Sequence, residues 1–258
     1  MDERDTTSTE PPKGHTVVAG GLGGIGSAIV ADLAAHGHQV IAVDRRGNDV
    51  VDWLDEMQSR FGEAVTFQEM DVADEQEVQG FADHLTEGGT HVAYLVNAQA
   101  AMIKGSDWDQ PDRHFELVHR ENLLGSFLLC RSFAKAMTER RFGRIVNFGS
   151  VWSYQPGDEQ IAYASAKAGV TGLTRALAVD LARFDVTVNA VCPGLVWHER
   201  LRGVSPDMVI DAQIARTPAG RAGTVEEAAA LVRFLLSDGA SFVNGQVIHL
   251  NGAEYMPA

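Results

Sequence analysis

Seven short apolar runs, rich in β-branched residues, recur along the chain: TVVAG (16–20), QVIAV (39–43), AVTFQ (64–68), VAYLVN (92–97), RIVNFG (144–149), VTVNAV (186–191) and QVIHL (246–250). Between them, apolar residues repeat at helical spacing near 24–36, 49–61, 74–87, 112–140, 161–183 and 224–237. Nearly continuous apolar strands are strands buried on both faces, and strand–helix alternation supplies the covering layers. The pattern predicts an α/β fold, a doubly wound parallel sheet of about seven strands with helices on both faces, in one domain over 14–258. Residues 1–13 are polar and charged and include Pro11 and Pro12, so a disordered tail is expected there. No internal repeat and no second composition regime interrupts the rest.

Composition narrows the function classes more than the fold. With 258 residues, 45% hydrophobic and 22% charged, the chain can bury one full-sized core. A formal charge of −14 argues against a nucleic-acid partner. No run approaches the length of a membrane span, and the acidic start is neither a secretory signal nor a membrane anchor. Cys130 and Cys192 lie far apart without metal-ligand spacing, so no metal is expected and a reducing cytoplasm fits.

Two stretches carry chemistry. In VVAGGLGGIGSAIVADLAAHG, Gly20, Gly24 and Gly26 fall between the first strand and first helix, where the backbone can approach a pyrophosphate held by the helix N-terminus. Asp44 follows at the end of the second strand, placed for the ribose hydroxyls of NAD and against the 2′-phosphate of NADP. Arg45 and Arg46 leave NADP open. In IAYASAKAGVTGLTRALAVDLARF, Tyr163 and Lys167 share one helical face, four residues apart. A cation beside a phenol lowers its pKa and makes it a usable acid or base, although an arbitrary pair with this spacing is usually solvated surface.

Together with Ser150, thirteen residues before Tyr163, these motifs resemble the short-chain dehydrogenase/reductase family, and the resemblance runs from about 14 to 252. AGGLGGIG (19–26) is like the family's glycine loop and implies cofactor contacts at Gly20, Leu22, Gly23, Gly24, Ile25 and Gly26, with Asp44 and Arg45 after the second strand. Asp71 and Val72 match the pair that contacts adenine; Asn97 and Ala98, and then Pro193, Gly194 and Val196, match further cofactor positions. The resemblance implies a Rossmann-type fold and a catalytic set of Asn122, Ser150, Tyr163 and Lys167. Tyr163 would be the general acid/base, Lys167 would lower its pKa and bind the nicotinamide ribose, Ser150 would hold the substrate oxygen, and Asn122 would anchor a water through its backbone.

Departures from the family pattern are visible. Ala19 replaces a threonine that ties the glycine loop, NAQA (97–100) stands for Asn-Asn-Ala-Gly, and His198 stands for a common threonine. The variable lid falls at about 195–222, and Trp152 and Trp197 are expected to wall a substrate pocket with Met102, Tyr154, Ser150 and Tyr163. Phe127, Leu128 and Phe133 beside Val170, Leu173 and Leu177 suggest apolar faces for subunit pairing, and the resemblance implies a homotetramer, with a dimer next. The reading that results is an NAD-dependent oxidoreductase acting on a secondary alcohol or ketone. An NADP-dependent 3-oxoacyl or polyketide-type ketoreductase, and a non-catalytic dinucleotide-binding protein, are the alternatives.

Overall fold

A computed structural model describes residues 13–45, 47, 50–103, 108–109, 111–202 and 207–257, the side chains of Arg200 and Arg202 excepted. The chain runs β1 (His15–Ala19), α1 (Gly24–Ala35), β2 (Val40–Asp44), α2 (Val50–Phe61), β3 (Val65–Glu69), α3 (Glu75–Glu87) and β4 (Val92–Asn97). It continues through α4 (Asp112–His119), a π-turn (Arg120–Leu124), α5 (Gly125–Arg140), β5 (Gly143–Phe148), α6 (Ile161–Leu181) and β6 (Val186–Pro193). Last come β7 (Val196–Trp197), α7 (Glu199–Arg202), α8 (Asp207–Arg216), β8 (Gly223–Thr224), α9 (Val225–Leu236) and β9 (Val247–Leu250).

The main sheet is parallel throughout, in the order β3-β2-β1-β4-β5-β6-β9. Its strands are apolar because each face meets helices. Val17, Ile41 and Val43 point toward Leu128, Phe133 and Met137 of α5, while Val18, Val40 and Ala42 point toward Ile29 and Leu33 of α1 and Val232 of α9. Successive residues of one strand therefore feed two separate cores, the period-2 rule applied to a sheet covered twice. Chain order reverses between β1 and β4, and the strand ends there open a crevice.

The seven expected strands all form, each within a few residues of its predicted limits. Three other expectations change. The helix predicted over 112–140 is interrupted by the π-turn, whose Glu121 and Asn122 are buried. The lid contains α8 and a two-residue pairing of β7 with β8, neither of which was anticipated; its residues 203–206 lie outside the described set. Leu128, Phe133 and Val170 belong to the chain's own core; the exposed apolar residues of these helices are Phe115, Leu117, Leu124, Phe127, Ile161 and Val179. The expected N-terminal tail also lies outside the described residues, apart from Lys13. That residue is tied down, its ammonium 3.0 Å from Asp238 and its backbone N–H donating to the Tyr94 hydroxyl at 3.1 Å. Among the described residues, no helix is long and apolar enough to cross a membrane.

Candidate active site

The crevice floor is the loop between β1 and α1. Gly20 sits at φ +75°, and a Cβ there would meet the backbone N of Gln99 at 2.6 Å, so the close approach of the two strand ends requires glycine. Gly20 and Gly21 N–H groups donate to the Val43 carbonyl at 2.8 and 3.2 Å. No side chain caps the first turn of α1, which leaves an N-terminus suited to an anion. At the end of β2, one Asp44 oxygen accepts from the Leu22 N–H at 3.1 Å and the other from its neighbour Arg45 at 2.9 Å.

Two cavities follow this floor. One, of about 360 Å³, lies over Gly20, Gly23, Gly24 and Gly26 and is walled by Asp44, Arg45, Val72 and Glu121. The other, of about 210 Å³, is walled by Ser150, Trp152, Tyr163, Lys167, Pro193, Gly194 and Val196. Ile25, Ala98, Ala100 and His198 border both, so the two form one groove.

At the second cavity α6 brings Tyr163 and Lys167 under the end of β5. Lys167 is 2% exposed, and its ammonium donates to the carbonyls of Phe148 at 2.8 Å and Gln99 at 3.3 Å. Burial pulls its pKa down to about 8. The Tyr163 phenol is hydrogen-bonded to Ser150, yet burial outweighs that bond and pushes the phenol up to about 12. The pairing was expected to lower the phenol. Instead the ammonium lies over the ring, 5.9 Å from its centroid, and the protein's own groups leave Tyr163 a firmly protonated acid. Trp152 meets the Tyr163 ring edge-on at 6.0 Å and closes the wall.

Other expected residues stand behind the groove. Asn122 is fully buried and lines neither cavity: its amide donates to the carbonyls of Ala101 at 2.7 Å and Val118 at 2.8 Å, which holds the π-turn open. Its carbonyl accepts from Ser126 at 2.7 Å; Ser126 in turn accepts from the Gln99 side chain at 3.0 Å. Lys167 is thus linked to Asn122 through Gln99 and Ser126, of which only Gln99 falls in a departure visible in the sequence, NAQA. Asn97, expected at the cofactor, is 1% exposed and is a strut, donating to Asn147 at 2.8 Å and to the Cys130 sulfur at 3.3 Å. Leu22 is buried and acts through its backbone on Asp44. Asp71 accepts from the Ala73 N–H at 2.9 Å, and its neighbour Val72 forms the cavity wall. Trp197 and Tyr154 are outside both walls, Tyr154 being stacked on Tyr255 at 5.1 Å, whereas Met102 lines the second cavity. Arg46 lies outside the described residues.

Comparison with known proteins fits this arrangement. A family model described as enoyl-(acyl carrier protein) reductase matches residues 20–252. The chain is 36% identical to an acetoacetyl-CoA reductase of Rhizobium meliloti, over 93% of this chain and 97% of that one. It is 32% identical to the 3-oxoacyl-[acyl-carrier-protein] reductase of Escherichia coli, over 93% and 96%. Among solved structures, levodione reductase superposes with a TM-score of 0.88 at 30% identity, covering 95% of this chain and 98% of that one. The chain belongs to the short-chain dehydrogenase/reductase family.

As a short-chain dehydrogenase/reductase it is an oxidoreductase acting on CH–OH or C=O groups with NAD(P). Where the family's threonine is replaced by Ala19, backbone bonds hold the strand ends: the Ala98 N–H donates to the Ala19 carbonyl at 3.0 Å. His198 lies against the glycine loop, where a Cβ on Gly24 would run into its ring.

Proposed function

We propose that this enzyme prefers NAD and interconverts a compact, largely apolar secondary alcohol with its ketone, Tyr163 acting as general acid/base. The observation that carries the reading is one continuous groove with Asp44 at one end and Ser150, Tyr163 and Lys167 at the other. The residues present fit a dinucleotide. A glycine floor and an uncapped helix N-terminus suit the diphosphate, the Asp44 carboxylate suits a ribose diol, and Val72 suits the adenine face. Gly194, Val196 and Lys167 would border the nicotinamide half. When bound, that group supplies or accepts the hydride.

The protein's part is to bind, orient and move a proton. In the reducing direction the Tyr163 phenol gives its proton to the carbonyl oxygen while the Ser150 hydroxyl holds that oxygen; oxidation reverses both roles. Lys167 keeps its charge buried between the ends of β4 and β5, stabilising the phenolate that remains. Asn122 supports the carbonyl side of this arrangement through the π-turn.

The substrate class follows from the second cavity. Met102, Val151, Trp152, Leu201, Val209 and Ile210 line it, and Lys167 is the one Lys, Arg, Asp or Glu among its described lining residues. A second reading is reduction of a 3-oxoacyl thioester with NADPH, the thioester being the substrate class that the relatives' names carry. The mainly apolar lining suits a small ketone better than a charged one. The exposed apolar residues of α4, α5 and α6 support self-association, with a tetramer as the assembly we favour, and two buried free thiols support a reducing, cytoplasmic setting. Initial rates with a panel of ketones and alcohols, against NADH, NADPH, NAD and NADP, test the proposal. Small apolar ketones with NADH should give the highest kcat/KM; acetoacetyl-CoA with NADPH outrunning them would replace it with the second reading.

A further inference from the structure

Glu121 is a carboxylate where the groove least needs one. It sits in the π-turn, 6% exposed, and forms part of the wall of the larger cavity beside Asp44 and Arg45. A buried carboxylate without a partner is strongly disfavoured, and its partner here is Arg45, whose Nη1 donates to Glu121 Oε1 at 3.2 Å. The Arg45 side chain is otherwise 61% exposed, so the contact with Glu121 directs where its charge lies. Burial raises the Glu121 carboxyl's pKa, and the Arg45 guanidinium opposes that rise. Arg45 is the one Arg or Lys among the described residues lining this cavity.

We propose that Glu121 is a specificity-determining residue for the dinucleotide: by holding the Arg45 guanidinium, it denies an incoming 2′-phosphate the countercharge that the cavity would otherwise provide. This rests on the reading that Asp44 faces the adenosine ribose. Discrimination against the phosphorylated dinucleotide then has two sources, repulsion by Asp44 and sequestration of Arg45 by Glu121. The two act through different atoms and separate experimentally. Breaking the ion pair should release the guanidinium, one residue from the ribose site, while Asp44 stays in place.

The test is fluorescence titration of the purified full chain with NADH and with NADPH, for wild type, Glu121→Gln, Glu121→Gln with Arg45→Ala, and Asp44→Ser. Circular dichroism melts check that each variant folds. The expected result is that Glu121→Gln moves the ratio of the two dissociation constants toward NADPH by about 10-fold, the scale of one new partly screened ion pair. Adding Arg45→Ala should return the ratio to the wild-type value. An unchanged ratio in Glu121→Gln overturns the proposal, as does a shift that persists without Arg45. A common loss of affinity for both dinucleotides also overturns it, since Glu121 then only braces the π-turn. Failure of the underlying reading looks different: Asp44→Ser leaves the ratio unmoved.

Discussion

The two ends of the groove solve opposite electrostatic problems. At the Tyr163 end, Lys167 is buried and Tyr163 half-buried, and loss of water pushes the phenol up and the ammonium down, each toward its neutral form. At the other end, around Asp44, charged side chains stand in pairs in partial contact with water, Arg45 with Glu121 at 3.2 Å and Arg120 with Asp71 at 3.6 Å. The difference teaches where each property resides. Proton transfer depends on how well water is excluded, and selectivity on how many charges of each sign remain uncommitted.

The sharpest way to break the comparison is to remove the Tyr163 hydroxyl. Tyr163→Phe should fold and bind dinucleotide, yet lower kcat by about 10²–10⁴-fold. Steady-state kinetics with a dinucleotide titration alongside checks it, and near-wild-type turnover means that the proton comes from elsewhere. The pH dependence sharpens the same end. With Lys167 at about 8 rather than its ordinary 10.5, ketone-reduction kcat/KM should hold below about pH 8 and fall above it, roughly tenfold per unit, as the ammonium discharges. Residual activity in Lys167→Ala should lack that limb. The linkage to stability carries the opposite sense. A lysine whose folded pKa is depressed destabilises the fold below pH 8, and that penalty is relieved as pH rises from 8 toward 10.5, so this group alone makes denaturant midpoints rise across the same window.

Asn97→Ala asks whether a residue beneath the groove belongs to either end. It removes the bonds to Asn147 and Cys130 and leaves buried polar atoms unpaired, which should destabilise the fold by about 2 kcal/mol. Chemical denaturation measures this. A strut should leave the dissociation constants for NADH and NADPH in place, and a common loss of affinity in a folded variant would return Asn97 to the cofactor contacts. The smallest expected effect is at the charged end. Asp44→Ser should shift kcat/KM from NAD toward NADP by about tenfold, close to 1.4 kcal/mol. A wild type already preferring NADP would show that the arginines govern the site.

Much of this was legible in the chain because strand runs and glycine spacing are local signals. VIAV and VNAV are runs rich in β-branched residues that read as doubly buried strands, and the loop after β1 has to be glycine where it passes Gln99. The π-turn was hidden because a one-residue widening shifts the phase of a long apolar stripe without ending it; what opens it is Asn122 bonding to Ala101, a long-range contact. The lid helix α8 escaped notice because its inward positions are Ile210 and Gln213, so its apolar face looks broken by a polar residue. Gln99 was visible only as a departure in NAQA, and its bond to Ser126 depends on two distant elements meeting. Glu121 carried no motif at all. Whether Trp152 or Trp197 faces the groove is a matter of backbone direction after β5 and β6, which spacing does not encode.

Asp44 has a second occupation that bears on how such an enzyme changes over generations. Its carboxylate, by accepting from Leu22 N–H, also pins the glycine loop to β2. A lineage drifting toward another dinucleotide cannot discard the side chain without slackening the loop that, in the proposed reading, holds the diphosphate. Asparagine or serine, which preserve an acceptor while shedding the charge, are therefore the accessible steps. Alanine or glycine would be dead ends unless a stabilising substitution arrived first, so the route of divergence is narrowed by a hydrogen bond that never touches the ligand.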